Sequence, residues 1–403
     1  MQPGDQNPSR DQRLAEALEE GAFATRCQHA GETRLSHCGA AAPPLYQTSL
    51  FVYPDAEAFG TRDEPDTAYW AYTRRANPTT AILEAKLARL ENGTWARCFA
   101  SGMGAITCAL GACVAAGSHV VIVNDCYQPT RKYLSEYLAR FGVTTTFVRG
   151  TQPADLSAAI RDDTRVVYLE SPTTGRMDVI DLAPIIAAAR QRGVTTMFDN
   201  SWATPYFQNP LDLCIDLVVH SMTKYLGGHS DTLGGAVVGR DEQLRDRINF
   251  EGELLGANID PFAAWLIIRG LRTLPVRMEQ HQRSGLAVAQ ALAAHPSVLR
   301  VCHPGLPTYP NYELGRRQMR GYGSLFSFAL RVQTREAARR FVDRLRVFSI
   351  GCSWGGFESL AICGDAAELF ADDPSQPRWL IRLYCGLETT DDLVRDVQAA
   401  LET

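Results

Sequence analysis

Lys224 lies in the segment His220-Ser221-Met222-Thr223-Lys224-Tyr225-Leu226-Gly227-Gly228-His229-Ser230, directly after the apolar run Leu217–Val219. A lysine amine can attack an aldehyde and, once partly desolvated, can act as a general base. Hydroxyls one and three residues earlier, on Thr223 and Ser221, can turn toward an anion while the amine turns elsewhere. A lone lysine after a strand is ordinarily a solvated charge, so its neighbours carry the reading. Asp199 is the second candidate, in Phe198-Asp199-Asn200-Ser201-Trp202 at the end of the apolar run Val194–Phe198. A carboxylate there either holds a nearby cation in its charged form or caps the following turn. Taken alone, both readings stand.

Three further places could contribute. Ser101-Gly102-Met103-Gly104 opens a small-residue helix, and the free N–H groups of a helix start form an anion site. Tyr127 follows the run Val120–Val123, where its ring could stack on a flat ligand or simply be half-buried. Arg382 interrupts Leu380-Ile381-Arg382-Leu383, where a guanidinium fork suits a carboxylate or a structural ion pair. Together these amount to an amine for an aldehyde, an acid for a pyridine nitrogen, donors for a phosphate and a flat surface for a ring. Those are the four things pyridoxal 5′-phosphate requires of its protein. Arg382 adds a grip for the α-carboxylate of an amino acid.

The elements that must position these residues are legible as a pattern. Val120–Val123, Val166–Leu169, Val194–Phe198 and Leu217–Val219 read as buried strands. Helices alternate with them. One runs from about Gly104 with Ile106, Leu110 and Val114 on one face; another starts near Asp181 and stops at Gly193 after cations in its last turn. This alternation predicts an α/β fold, a mostly parallel sheet covered on both faces. In such sheets ligands collect beyond the carboxyl ends of strands; Glu170, Asp199 and His220 to Lys224 all fall there. After about residue 266, helical stretches Arg277–Ala293 and Arg335–Leu345 flank an alternating segment, Leu325–Leu330, predicting a smaller α+β domain. The division expected is an N-terminal leader and arm over 1–69, a large domain over 70–265 and a small domain over 266–403. Residues 1 to about 22 read as a loose, polar leader.

Composition narrows the partners. The chain has 403 residues, 45% hydrophobic and 21% charged, with a formal net charge of −5, so it carries no basic footprint for nucleic acid. Eleven cysteines without a C-x-x-C pair suggest neither a metal site nor a disulfide framework, and fit a reducing, cytoplasmic setting. The uncharged stretch Cys98–Val123 superficially suggests a membrane span. Its Gly and Ala content and the break at Gly117-Ser118-His119 point instead to a buried helix, a turn and a core strand His119–Val123, so no membrane is expected.

The motifs SGMGA, DCYQP, ESPTTG, DNSWATP, SMTKYLGGHSD, SWGGFES and LIRLYCGLE, in that order, resemble the Cys/Met-metabolism PLP enzymes of trans-sulfuration, over roughly residues 40 to 400. The resemblance implies the fold type I, aspartate aminotransferase-like architecture. It implies Lys224 as the Schiff-base lysine and base, and Asp199 as partner of the pyridine nitrogen. Gly102, Met103, Ser221 and Thr223 would hold the phosphate, and Tyr127 would stack on the ring. Tyr72 and Arg74, in Tyr72-Thr73-Arg74-Arg75-Ala76-Asn77-Pro78, would reach into a neighbouring subunit's site, which makes a homodimer the minimum unit and a homotetramer the usual one. Ser353 and Arg382 would bind the substrate carboxylate, and Lys224 or Tyr72 would protonate a departing thiolate.

Within the family the signals are mixed. Ser353-Trp354-Gly355-Gly356-Phe357-Glu358-Ser359 and Tyr127-Gln128-Pro129-Thr130 resemble the bacterial cystathionine β-lyases, whereas Pro43–Ser49 and Arg75–Thr79 look more like γ-synthases and γ-lyases. The expectation is β-elimination of L-cystathionine or a related cysteine S-conjugate to a thiol, pyruvate and ammonia. The alternative is γ-elimination or γ-replacement. Trp354 reads as a wall beside the substrate's distal arm or as a core aromatic.

Overall fold

The computed structural model describes residues 10–19, 21–62, 64, 69–148, 152–366 and 377–402. Seven strands form the large sheet: β1 (Trp95–Phe99), β2 (His119–Val123), β3 (Thr144–Val148), β4 (Thr164–Glu170), β5 (Thr195–Asp199), β6 (Leu217–Ser221) and β7 (Gly235–Gly239). Their order is β1-β7-β6-β5-β4-β2-β3. Only β7 runs against the rest, pairing antiparallel with both β1 and β6. Every residue of β2 is buried, as a strand covered on both faces requires. Burying each such Val or Ile contributes about 1.5–3 kcal/mol.

The uncharged stretch behaves as expected. Helix Gly102–Cys113 is followed by a turn and then β2. Helices Leu182–Gln191 and Leu274–Ala293 also occupy their expected positions. Five strands build a second, smaller sheet: β8 (Val298–Cys302), β9 (Leu325–Leu330), β10 (Ser349–Ile350), β11 (Leu360–Asp365) and β12 (Trp379–Tyr384), in the order β10-β11-β12-β9-β8. Helices Arg335–Arg344 and Thr390–Leu401 accompany it.

One expectation fails. Part of the polar leader is helical over Arg10–Glu19, followed by helix Phe23–His29, in which Cys27 is fully buried. Polarity hid the first helix, because a short surface helix needs only a narrow apolar stripe. Among the described residues no helix is long and apolar enough to cross a membrane. No group of His, Cys, Asp or Glu among them is arranged to hold a metal ion.

Topology locates the site. The chain leaves β2 for β3 on one side, whereas β4 pairs on the other. Between β2 and β4 the strand order reverses, the place where open α/β sheets leave a crevice.

Candidate active site

Four strand ends meet at that crevice. β4 and β5 are in register so that Glu170 pairs with Asp199, and Asp199 in turn pairs with Val219 of β6. Asp199 uses one oxygen to cap the turn, accepting the Ser201 N–H at 3.0 Å. Its other oxygen accepts the Tyr168 hydroxyl at 3.3 Å. The capping reading is therefore realised while the second oxygen stays near the crevice.

Glu170 accepts the Tyr127 N–H at 2.9 Å and the Thr174 hydroxyl. Burial first, then the charge of Asp199, raises the Glu170 carboxyl to about 8. Burial, Asp199, Cys352 and Glu170 likewise push the Tyr127 phenol upward. Tyr127 itself is 45% exposed, with its backbone N–H fastened to Glu170.

Lys224 follows β6 and is partly buried. Its Nζ donates to the Ser353 hydroxyl at 2.7 Å and lies 5.5 Å from the centre of the Trp354 ring. Burial lowers its pKa, the Arg382 charge lowers it further, and Cys352 and Asp199 oppose both effects. Trp354 packs edge-on against the buried Tyr225 ring at 5.4 Å. It is both a core contact and a neighbour of the amine.

The lysine segment and the segment after β10 lie directly on one another. At Gly355 (φ +88°) an added Cβ would sit 2.5 Å from the Tyr225 nitrogen and 2.6 Å from the Lys224 Cα, so only glycine permits this approach. Ser230 donates to Glu358 at 2.8 Å, fastening the two segments further along. Arg382 donates to the carbonyl of Cys352 at 2.7 Å. No carboxylate among the described residues pairs with it, so the ion-pair reading of Arg382 is not realised here. Burial lowers its pKa.

The anion end is built by helix Gly102–Cys113. Ser101 caps it, accepting the Gly104 N–H at 3.0 Å, while the N–H groups of Gly102 and Met103 have no acceptor among the described residues. A Cβ at Gly102 would fall 2.8 Å from the Ser221 Cβ, so the helix start presses against the end of β6. The Ser221 N–H donates to the Ser201 hydroxyl at 2.7 Å, and the Thr223 hydroxyl accepts the Gly234 N–H at 3.2 Å. Free N–H groups, nearby hydroxyls, an amine without a carboxylate partner and an acid one strand away form a donor set that fits pyridoxal phosphate.

Tyr72 and Arg74 stand apart. Arg74 lies 5.7 Å from the Tyr72 ring centre and donates to the Glu253 carbonyl at 3.0 Å. Among the described residues no hydrogen bond or ion pair joins either to Lys224, Asp199, Tyr127, Ser221 or Arg382. Cys352 and Tyr168 were missed as site residues, and Glu170 was placed beyond its strand end without being given a role. Glu170 carried a signal, a carboxylate ending an apolar strand; for Cys352 the only clue was adjacency to Ser353.

Comparison with known proteins bears on the family and the fold. The family model described as Cys/Met metabolism PLP-dependent enzyme matches residues 24–402. The L-methionine γ-lyase of Porphyromonas gingivalis is 40% identical over 400 residues, 96% of this chain and 99% of that protein. The cystathionine γ-synthase of Mycobacterium tuberculosis is 40% identical over 381 residues, covering 94% and 96%. The crystal structure of metB from Corynebacterium glutamicum superposes with a TM-score of 0.87 at 32% identity, covering 95% of this chain and 98% of that one. These relatives favour the γ-carbon alternative over the β-lyase expectation. That expectation weighed two short segments, around Tyr127 and Trp354, above the rest of the chain. With the site geometry, the matched length and the shared fold pointing the same way, this chain belongs to the Cys/Met metabolism PLP-dependent enzyme family.

Proposed function

We propose that the enzyme acts at the γ-carbon of an L-amino acid, eliminating or replacing a sulfur or activated-oxygen substituent. The observation that carries this reading is the 40% identity, across nearly the whole chain, to proteins named methionine γ-lyase and cystathionine γ-synthase. A bound pyridoxal phosphate supplies an aldehyde for amines and a protonated ring that accepts the electron pair left when the Cα–H bond breaks.

This chain's residues do the rest. Asp199 keeps a proton on the pyridine nitrogen, opposite charge favouring the charged form. Gly102 and Met103 N–H groups, with the Ser221 and Thr223 hydroxyls, would hold the phosphate, and Tyr127 would cover the ring. Arg382 turns its fork from the Cys352 carbonyl to the substrate carboxylate, assisted by Ser353. Lys224 takes the proton from Cα. Burial and Arg382 shift its amine toward the neutral form that a base needs. For γ-chemistry a second proton must leave Cβ before the γ-substituent departs, and Lys224 is the base placed to remove it. Lys224 or Tyr72 then returns a proton to the leaving group.

The working unit is a homodimer or larger, with Tyr72 and Arg74 serving the neighbouring subunit's site. Supporting this, Leu50, Val52 and Tyr72 are exposed, as are Phe250, Leu254 and Leu255 on helix Glu242–Leu255. Arg74 ties the two regions together through Glu253. Large apolar side chains gathered on one face call for a covering surface.

One observation favours a second reading. Trp354, in the segment that resembles the bacterial cystathionine β-lyases, has its ring 5.5 Å from the Lys224 amine. Incubation with methionine, with cystathionine, and with an O-activated homoserine plus a thiol separates the readings. The γ-reading expects 2-oxobutyrate or a new thioether; pyruvate as the sole keto acid, with no new thioether, would sink it in favour of β-elimination.

A further inference from the structure

Behind the strand ends that carry Asp199 and Ser221 lies a dry polar cluster that the chemistry above does not use. Glu91 follows helix Pro78–Leu90 and is fully buried. One carboxylate oxygen accepts His220 Nε2 at 2.6 Å and Asn200 Nδ2 at 2.7 Å; the other accepts Asn209 Nδ2 at 3.3 Å. His220, Asn200 and Asn209 are themselves buried. A carboxylate removed from water is costly unless donors replace its hydration, and this one has three.

Two of those donors occupy telling positions. Asn200 is the residue after Asp199, and His220 is the residue before Ser221. Main-chain bonds already join these neighbours, with the Asn200 N–H donating to the Val219 carbonyl at 3.0 Å. The Ser221 N–H adds its bond to Ser201. Glu91 therefore reaches from 109 residues away in one case and 129 in the other to fasten the last residues of β5 and β6 side by side. A site that must meet one ligand with an acid from one strand and hydroxyls from the next tolerates only about 0.5 Å of error between them.

We propose that Glu91 and His220 are positioning residues, a buried clamp that fixes Asp199 relative to Ser221 so that both meet the same cofactor molecule. The proposal rests on the roles given above to Asp199, Ser221 and Lys224. Neither residue touches the reacting atoms; they act through Asn200 and the end of β6. Glu91→Gln keeps the shape but leaves one acceptor oxygen for three donors, setting an amide N–H₂ either against Asn209 or against His220 and Asn200. His220→Leu removes the other half of the clamp and leaves Glu91 to its two asparagines.

The test titrates cofactor-free wild type, E91Q, H220L and the double variant with pyridoxal phosphate. Visible absorbance and circular dichroism of the lysine-bound cofactor are recorded, along with the melting temperature of each cofactor-free protein. The clamp predicts that each single variant binds the cofactor about 10-fold more weakly or worse. The visible circular dichroism per bound cofactor should also change, and the double variant should be no worse than the weaker single, as for residues acting as one unit. Variants that melt earlier but bind with affinity within about threefold of wild type, and with unchanged dichroism, overturn the proposal in favour of a purely structural pair. If E91Q does not fold, H220L is judged by the same criteria; if neither folds, the pair is a folding element and the proposal falls. Wild type that never attaches the cofactor at Lys224 overturns the site reading itself, which the titration distinguishes from failure of the clamp.

Discussion

The two halves of the candidate site are built differently. Around Lys224 everything closes within one chain: the amine rests on Ser353, Gly355 lies against the lysine backbone, and Arg382 holds the carbonyl of Cys352. Around Tyr72 almost nothing closes: the ring is exposed, and Arg74 is engaged with Glu253 rather than with the crevice. The first half needs only folding to form, whereas the second, in the proposed reading, gains its function only against a neighbouring subunit. Residues of the first kind should fail singly and completely; residues of the second should be rescued by a second copy.

The largest effect should fall on the closed half. Lys224→Ala should lower the turnover of any accepted substrate by more than about 10⁴-fold, since the group lost is both attachment point and base. Keto-acid release in a coupled assay measures this. The sharpest test of the contrast comes next. K224A and R74A, each nearly inactive alone, should regain roughly a quarter of wild-type activity when unfolded together and refolded, because half of the random dimers pair one intact site with one dead one. No recovery would mean that Arg74 serves its own chain.

A smaller loss is expected at Arg382. Arg382→Ala should reduce kcat/KM by about 10- to 100-fold, mostly through KM, as the loss of a charge-assisted bond to a carboxylate predicts. The smallest effect concerns Glu170. Its carboxyl is raised from an ordinary carboxylate value to about 8 in the folded chain, so the folded state binds the extra proton between those limits. Its contribution to stability is therefore fully present below about pH 4.5 and fades as pH rises toward 8. Cofactor-free E170Q should accordingly melt increasingly later relative to wild type as pH is raised from 5 to 8, by a few degrees at most.

The contrast also marks what was readable in advance. Strands β2, β4, β5 and β6 were visible because parallel strands buried on both faces are continuous apolar runs, and β9 matched its expected span. The lysine and the aspartate were legible because each follows such a run, and the helix-start glycines because they open a helix of small residues. Strand β7 was not foreseen: Gly-Ala-Val-Val-Gly is short and has glycine at both ends. Long-range meetings were equally hidden. Lys224 with Ser353, 129 residues apart, and Glu91 with His220, also 129 apart, depend on how sheets and helices stack rather than on local spacing. The short helix at Arg10–Glu19 escaped notice because it is mostly polar.

The β-versus-γ question shows the same division. Trp354 is a local signal, in a segment that resembles the β-lyases; similarity spread along the chain points toward γ-carbon chemistry. A Trp354→Leu variant sharpens the comparison. If the tryptophan limits the distal arm, the variant should gain in kcat/KM on longer thioethers relative to methionine.

The whole account depends on which side chain holds the cofactor. Reduction of the cofactor-loaded enzyme with borohydride, followed by proteolysis and mass spectrometry, reads this directly. The expected result is a single pyridoxyl-modified peptide with the mass increment on Lys224. An unmodified Lys224 peptide, or a label on Lys86 or Lys132 instead, would contradict the account at its root.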